Sequence, residues 1–194
     1  MFITIDGPDG AGKTTAAQKL ASSLSEKNEI FYTSQPSNSK YGAEIRRLLA
    51  NTPSPDPRKM TGLFIADRAE HIKSEIKPRL DRGIWVVCDR YKYSTIVYQQ
   101  IQGISKQSLI EGNQGFLIPD VVFILTVSRV EQLLNRIQSR EKSLELFETR
   151  EIMEKTLMLY AQMPECFPDE NIHMIDAGGS ADISVKQMLA KLNT

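Results

Sequence analysis

Cysteine and histidine are scarce: the chain holds two of each in 194 residues. Cys88 and Cys166 form no C-x-x-C pair, and His71 and His173 stand apart from each other and from the cysteines. Such spacing excludes a disulfide-stapled scaffold and argues against a zinc site. An excess of charge is also missing, because 24 basic residues balance 24 acidic ones. With no global field to draw the chain to nucleic acid or anionic membrane, any anion binding falls to local arginines. No apolar run approaches the roughly 20 residues that cross a bilayer. Internal repeats, low-complexity tracts and signal-like segments are likewise absent, and the expected setting is reduced and cytoplasmic, without nucleic-acid or membrane partners.

What is present is α/β patterning. Four or five short apolar runs, at 2–5, 29–33, 84–88, 121–127 and 171–175, are each followed by a helical pattern. That alternation predicts a five-stranded parallel sheet with helices on both faces. One domain over residues 1–194 is expected from the length. Helices are predicted from about Gly12 to Ser25, over Ala43–Asn51 with Ile45, Leu48 and Leu49 inward, and from about Arg58 to Arg82. In the third, Ile65, Ala69, Ile72, Ile76 and Leu80 form the core stripe, and Pro78 is a candidate kink. The run 121–127 is apolar on both faces and is placed centrally in the sheet; Cys88 is read as a small buried side chain. Residues 129–163 read as helix, a polar interruption near Arg140 to Glu145, and helix, the interruption marking a candidate lid over about 136–150. A last helix, capped by Ser180 or Asp182, is expected to bury Ile183, Met188, Leu189 and Leu192.

The most specific motif is "GPDGAGKTT". Gly7, Gly12, Lys13 and Thr14 satisfy G-x-x-x-x-G-K-[ST] directly after an apolar strand and before a helix, the signature of a P-loop NTPase. Backbone N–H groups of such a loop converge on phosphate oxygens at a helix N-terminus. Gly7, Gly10, Ala11, Gly12, Lys13, Thr14 and Thr15 are therefore the candidate ATP contacts, with Lys13 on the β- and γ-phosphates and Thr14 on Mg²⁺. N-K-x-D is absent, and the D-x-x-G outside the phosphate loop, Asp176–Gly179, falls after the last strand, so a GTP-driven switch is not the reading. Asp89, directly after "IWVVC", is placed toward Mg²⁺ or its waters, and Arg90 beside it toward an acceptor phosphate. A surface Asp–Arg pair is the alternative.

Five segments in order, "DGPDGAGKTT", "GAEIRRLL", "LFIADRAEHI", "DRYKYSTIVYQ" and "LELFETREIMEKTLMLY", resemble the motifs of the thymidylate kinase family. The similarity runs from residue 2 to about 176. It implies transfer of the γ-phosphoryl group of ATP to dTMP, giving dTDP and ADP in dTTP synthesis, with Mg²⁺ and as a homodimer. By this resemblance Phe64 stacks on thymine and Arg68 bonds a ring carbonyl. Arg46 and Arg90 grip the monophosphate, while Arg47 is solvated. Asp9 lies near the acceptor's 3′-hydroxyl and phosphate, and Tyr98 occupies the place of a ribose 2′-hydroxyl. Ser94, Thr95 and Gln99 are polar contacts to base or sugar; Tyr91 and Tyr93 are left as packing residues. Arg136 resembles the residue that stacks on adenine. Lys13, Asp9, Arg90 and Arg140 form the candidate catalytic set.

The match also has gaps. The P-loop carries no arginine, and the lid has Leu146 in "ELFE" where the family pattern resembles D-R-F-E; a later family arginine is replaced by Leu157. Arg140, Lys142 and Arg150 are candidates to compensate. Gln35 in "SQPSN" stands where a carboxylate is usual, with Pro36 retained. Two alternatives stay open from these departures: a kinase for another deoxynucleoside monophosphate, and a weakly catalytic nucleotide-binding protein of the same fold.

Overall fold

Side-chain alternation along five strands divides the core into two layers. The strands are β1 (Phe2–Asp6), β2 (Ile30–Ser34), β3 (Trp85–Asp89), β4 (Val121–Thr126) and β5 (Ile172–Asp176), and they fall on the five apolar runs of the sequence. They pair in parallel in the order β2-β3-β1-β4-β5. The structure, a computed structural model, describes residues 1–139 and 149–192. Helices in chain order are α1 (Lys13–Leu24), α2 (Lys40–Asn51), α3 (Pro57–His71), α4 (Lys77–Leu80), α5 (Lys92–Ile101), α6 (Lys106–Gly112), α7 (Val130–Gln138), α8 (Arg150–Ala161), α9 (Met163–Cys166) and α10 (Ala181–Leu192). Ile3, Ile5, Val87, Phe123 and Leu125 pack with Leu20 of α1, Leu133 of α7 and Met188 of α10. Their neighbours Phe2, Val86, Cys88, Val122 and Ile124 point the other way, onto Ile96 of α5 and Tyr160 of α8. β4, expected at the centre, is an inner strand between β1 and β5, and β1 takes the middle.

The third predicted helix is interrupted. α3 gives way to a π-helical turn, Ile72–Ile76, before α4. Pro78 lacks the N–H for the carbonyl four residues back and its ring crowds that carbonyl, so widening the preceding turn relieves both faults. Ile76 is buried and Ile72 and Leu80 pack against the core, but Ala69 is exposed and Ile65 only half-buried. The fully buried face of α3 is instead Met60, Asp67, Arg68 and His71. Two further inward positions are corrected. Leu49 is 44% exposed at the rim of a cavity, and Ile183 is 53% exposed because α10 turns Ser184, Val185 and Met188 to the core. Residues 136–138, counted in the predicted lid, belong to α7; residues 140–148 of that lid lie outside the described residues.

α2 starts three residues earlier than predicted, at Lys40, because the Ser39 hydroxyl accepts the N–H groups of Tyr41 and Gly42. The same hydroxyl donates to Asp67 Oδ1 at 2.6 Å, and Asp67 also takes the Ser37 N–H at 2.8 Å and Ser37 hydroxyl at 2.6 Å. Thus α3 holds the 35–39 segment against α2. Gly42 makes this possible, since a Cβ there would lie 2.0 Å from the Ser37 carbonyl oxygen and 2.9 Å from Asp67 Oδ1. Gly42→Ala is expected to cost about 3 kcal/mol in a urea titration; a variant as stable as the parent would show that this junction yields freely.

Candidate active site

The turn after β1 is shaped by close approach. Gly7 sits at φ 141°, and a Cβ there would lie 2.6 Å from the Leu125 carbonyl oxygen. Gly12, at φ 81°, is the N-cap of α1 and offers no side chain to the first turn of the helix. The free N–H groups of that turn, with the positive end of the helix dipole, form an anion cradle. Lys13 curls back over the loop and donates to the Pro8 carbonyl at 2.7 Å.

Strand pairing brings the second half of the site to this loop. β1 and β3 are neighbours with Ile5 level with Asp89, so the ends of both strands open on one crevice at the point where the sheet's order reverses. Alternation then sorts the acidic residues. Asp89 faces α1 and accepts the Thr14 hydroxyl at 2.6 Å on Oδ2, while its Oδ1 is buried without a partner. Asp6 faces the opposite layer, where it accepts the N–H groups of Tyr91 and Ser94 and the Ser94 hydroxyl at 2.6 Å. Between them, Arg90 is the one non-glycine residue at positive φ among those described, at 69°. Its N–H bonds the Ile5 carbonyl at 2.9 Å, which holds the left-handed turn that aims the guanidinium at Asp9.

Asp9 is the electrostatic centre of this cluster. It pairs with Arg90, lies 3.5 Å from Lys13 Nζ and accepts the Tyr98 hydroxyl at 2.9 Å. Burial works to raise its pKa, but Arg90 and Lys13 outweigh it and hold the carboxyl well below the usual range. For Lys13, burial and the charge of Arg90 prevail over Asp9, pulling its pKa down to about 8. Burial pushes the Asp6 carboxyl up, against the hydrogen bonds from Ser94 and Tyr91.

A cavity of about 890 Å³ opens beside this cluster. Asp9, Arg46, Phe64, Arg68, Arg90, Ser94, Thr95, Tyr98 and Gln99, the full set of acceptor contacts named from the sequence, all line it. Arg46 donates to the carbonyls of Pro36 and Ser37 at 2.9 and 2.8 Å, while Arg47 points outward onto Glu44. Ser94 is engaged from behind by Asp6 and by the Tyr160 hydroxyl at 3.0 Å. Tyr91, set aside as packing, also lines the cavity, beneath Arg68. Gln35 is buried and its amide meets Nδ1 of His71 at 3.3 Å; His71 Nε2 in turn meets the Thr33 hydroxyl at 2.8 Å.

Arg136, expected on the donor side, donates in its own plane to the carbonyls of Ala177, Gly178 and Gly179 at 2.7–3.1 Å. That leaves the flat faces of the guanidinium for stacking. Arg150 is committed to Glu131 and Glu154 on the surface, while Arg140, Lys142 and Leu146 lie outside the described residues. Asp6, Asp67, Asn113 and Tyr160 were not among the sequence candidates. Asp6 alone had a visible signal, an acidic residue closing the strand that leads into the phosphate loop.

The family model described as thymidylate kinase matches residues 5–188. The "Probable thymidylate kinase" of Thermococcus kodakarensis is 36% identical, covering 100% of this chain and 98% of the relative. The "Thymidylate kinase" of Brachyspira hyodysenteriae is 33% identical over 91% of this chain and 85% of its own length. A crystal structure of thymidylate kinase from Ehrlichia chaffeensis superposes with a TM-score of 0.79 at 28% identity, covering 100% of this chain and 98% of that one. The chain belongs to the thymidylate kinase family and has the P-loop NTPase fold.

The state of Lys13 yields a pH prediction. With its pKa at about 8, the free protein loses the ammonium charge as pH rises through that value, whereas bound phosphates favour the charged form. ATP affinity should therefore be flat below about pH 7.5 and fall by up to tenfold per unit above 8, with proton uptake on binding. Calorimetry in buffers of different ionisation enthalpy measures both; an affinity constant to about pH 9.5 would contradict the assignment.

Proposed function

We propose, from its membership of the thymidylate kinase family, that this chain transfers the γ-phosphoryl group of ATP to dTMP, producing dTDP and ADP as a step in dTTP synthesis. The observation that carries the reading is spatial. Arg90 and Asp9 stand between the phosphate cradle around Lys13 and a cavity whose other wall holds Phe64 and Arg68.

ATP takes the P-loop, with its β- and γ-phosphates on the backbone N–H groups and Lys13, and its adenine against the exposed face of Arg136. The dTMP phosphate lies between Arg46 and Arg90, and Asp9 holds Arg90 and Tyr98 in place by charge and hydrogen bond. Thymine stacks on Phe64, and Arg68, a donor-only group, favours the 4-oxo edge of thymine over the 4-amino edge of cytosine. Thr95 and Gln99 complete the polar wall, and Tyr98 fills the space that a 2′-hydroxyl would need. Asp89 and Thr14 fit Mg²⁺, since the buried Oδ1 of Asp89 has no other partner and hard oxygen ligands suit that ion. Bound with ATP, Mg²⁺ supplies charge neutralisation between the phosphates.

The acceptor phosphate is already ionised, so no strong general base is required; positioning and positive charge carry the catalysis. The cation that completes the site is Arg140, four positions after Arg136 in the sequence and outside the described residues. The enzyme works in the cytoplasm as a homodimer. Among the described residues no helix is long and apolar enough to cross a membrane.

A coupled assay over the deoxynucleoside monophosphates tests the substrate: ATP- and Mg²⁺-dependent turnover should be fastest with dTMP. Faster turnover of dCMP, dGMP or dAMP would sink the assignment, and tight binding of ATP and dTMP without turnover would favour a binding protein. Arg140→Ala should lower kcat by up to about 10³ while leaving dTMP affinity within about twofold. An unchanged kcat would move the lid cation to another residue.

A further inference from the structure

Arg68 is a buried cation, 1% exposed, and among the described residues it forms no ion pair. Neutral groups hold it instead. Nη1 donates to Asn113 Oδ1 and Nη2 to the Thr95 hydroxyl at 2.8 Å. The rings of Tyr91 and Phe116 lie 5.2 and 5.7 Å from the guanidinium carbon. Its Nε is buried without a partner, in a residue that lines the acceptor cavity. Burying an unpaired charge is costly unless dipoles or a ligand compensate it, so the choice of neutral partners calls for a reason.

Asn113 supplies one. It caps the C-terminus of α6, is 3% exposed and does not line the cavity. Its Nδ2 donates to the Leu109 carbonyl at 2.7 Å, which determines the orientation of the amide. Reversed, it would set oxygen against oxygen at Leu109 and an NH₂ group against the guanidinium. The Leu109 carbonyl therefore dictates that Asn113 shows Arg68 an acceptor.

We propose that Asn113 is a positioning residue for base recognition: it aligns Arg68 with a neutral oxygen, so that the guanidinium reaches the acceptor's base carbonyl with its charge undiminished. A carboxylate in the same place would align the arginine equally well and neutralise it. Hydrogen bonds from a charged donor are about twice as strong as those between neutral groups, and Asn113 preserves that advantage for the ligand. This inference rests on Arg68 as the base contact proposed above.

The test is a double-mutant cycle on dTMP affinity, measured by calorimetry on the full chain without ATP. Asn113→Ala should weaken dTMP binding about tenfold, leave ATP affinity unchanged, and narrow the preference for dTMP over dCMP by a similar factor. In an Arg68→Ala background the same change should have no further effect on dTMP affinity, because Asn113 acts only through that arginine. If Asn113→Ala does not fold, Asn113→Ser, which loses the reach to Arg68 with less disturbance of the helix end, takes its place. Wild-type dTMP affinity in the single variant, or equal losses in the two backgrounds, would overturn the proposal. A wild-type chain that binds dTMP without phosphorylating it would refute the proposed reaction but leave this cycle readable, and one that binds no dTMP would refute both.

Discussion

The carboxylate of Asp6, buried at the end of β1, ties the proposed donor and acceptor halves of the site to each other. The next residue, Gly7, begins the phosphate loop, and the carboxylate itself crosses to α5. That helix has no side-chain cap of its own. Asp6 provides one from another strand, taking the N–H groups of Tyr91 and Ser94 and the Ser94 hydroxyl. A negative group at a helix N-terminus is favourable both as an acceptor and against the dipole. Through this one contact the helix that carries Ser94, Thr95, Tyr98 and Gln99 is placed relative to the loop that carries Lys13 and Thr14.

Charge is handled differently on the two sides of that tie. Around the phosphate positions, Asp9 offsets Arg90 and Lys13, so the cluster is stable before any phosphate arrives and its cations are already aimed. On the proposed base side, Arg68 is surrounded by an amide, a hydroxyl and two rings. The first arrangement suits ligands with several negative charges, which can compete for paired cations. The second suits a neutral base, whose carbonyl could not compete with a carboxylate for the same guanidinium.

The course of α3 shows where periodicity misleads. An apolar stripe through Ile65 and Ala69 reads as the core face, yet Asp67, Arg68 and His71 are the buried side of that helix. Polar residues go inside when each finds partners, here Ser37 and Ser39 for Asp67, Asn113 and Thr95 for Arg68, and Thr33 and Gln35 for His71. Every one of those partners lies far along the chain. A pattern read within one helix carries no record of them. The inner strands β1, β3 and β4, by contrast, were legible because a strand buried on both faces shows itself as a nearly unbroken apolar run.

By itself the sequence determined the five strands and the phosphate loop, since these follow from local composition and short fixed spacings, while nine residues of the cavity lining were named through the family resemblance. Tertiary structure alone decided that β1 lies beside β3, that Asp6 and Asp89 face opposite layers and that Arg90 turns left-handed toward Asp9. It also decided that Asn113, at the end of a seven-residue helix, reaches Arg68. The physical reason is the same in each case: hydrogen bonds and ion pairs between residues distant in sequence depend on which elements become neighbours, and neighbourhood is a property of the packed sheet.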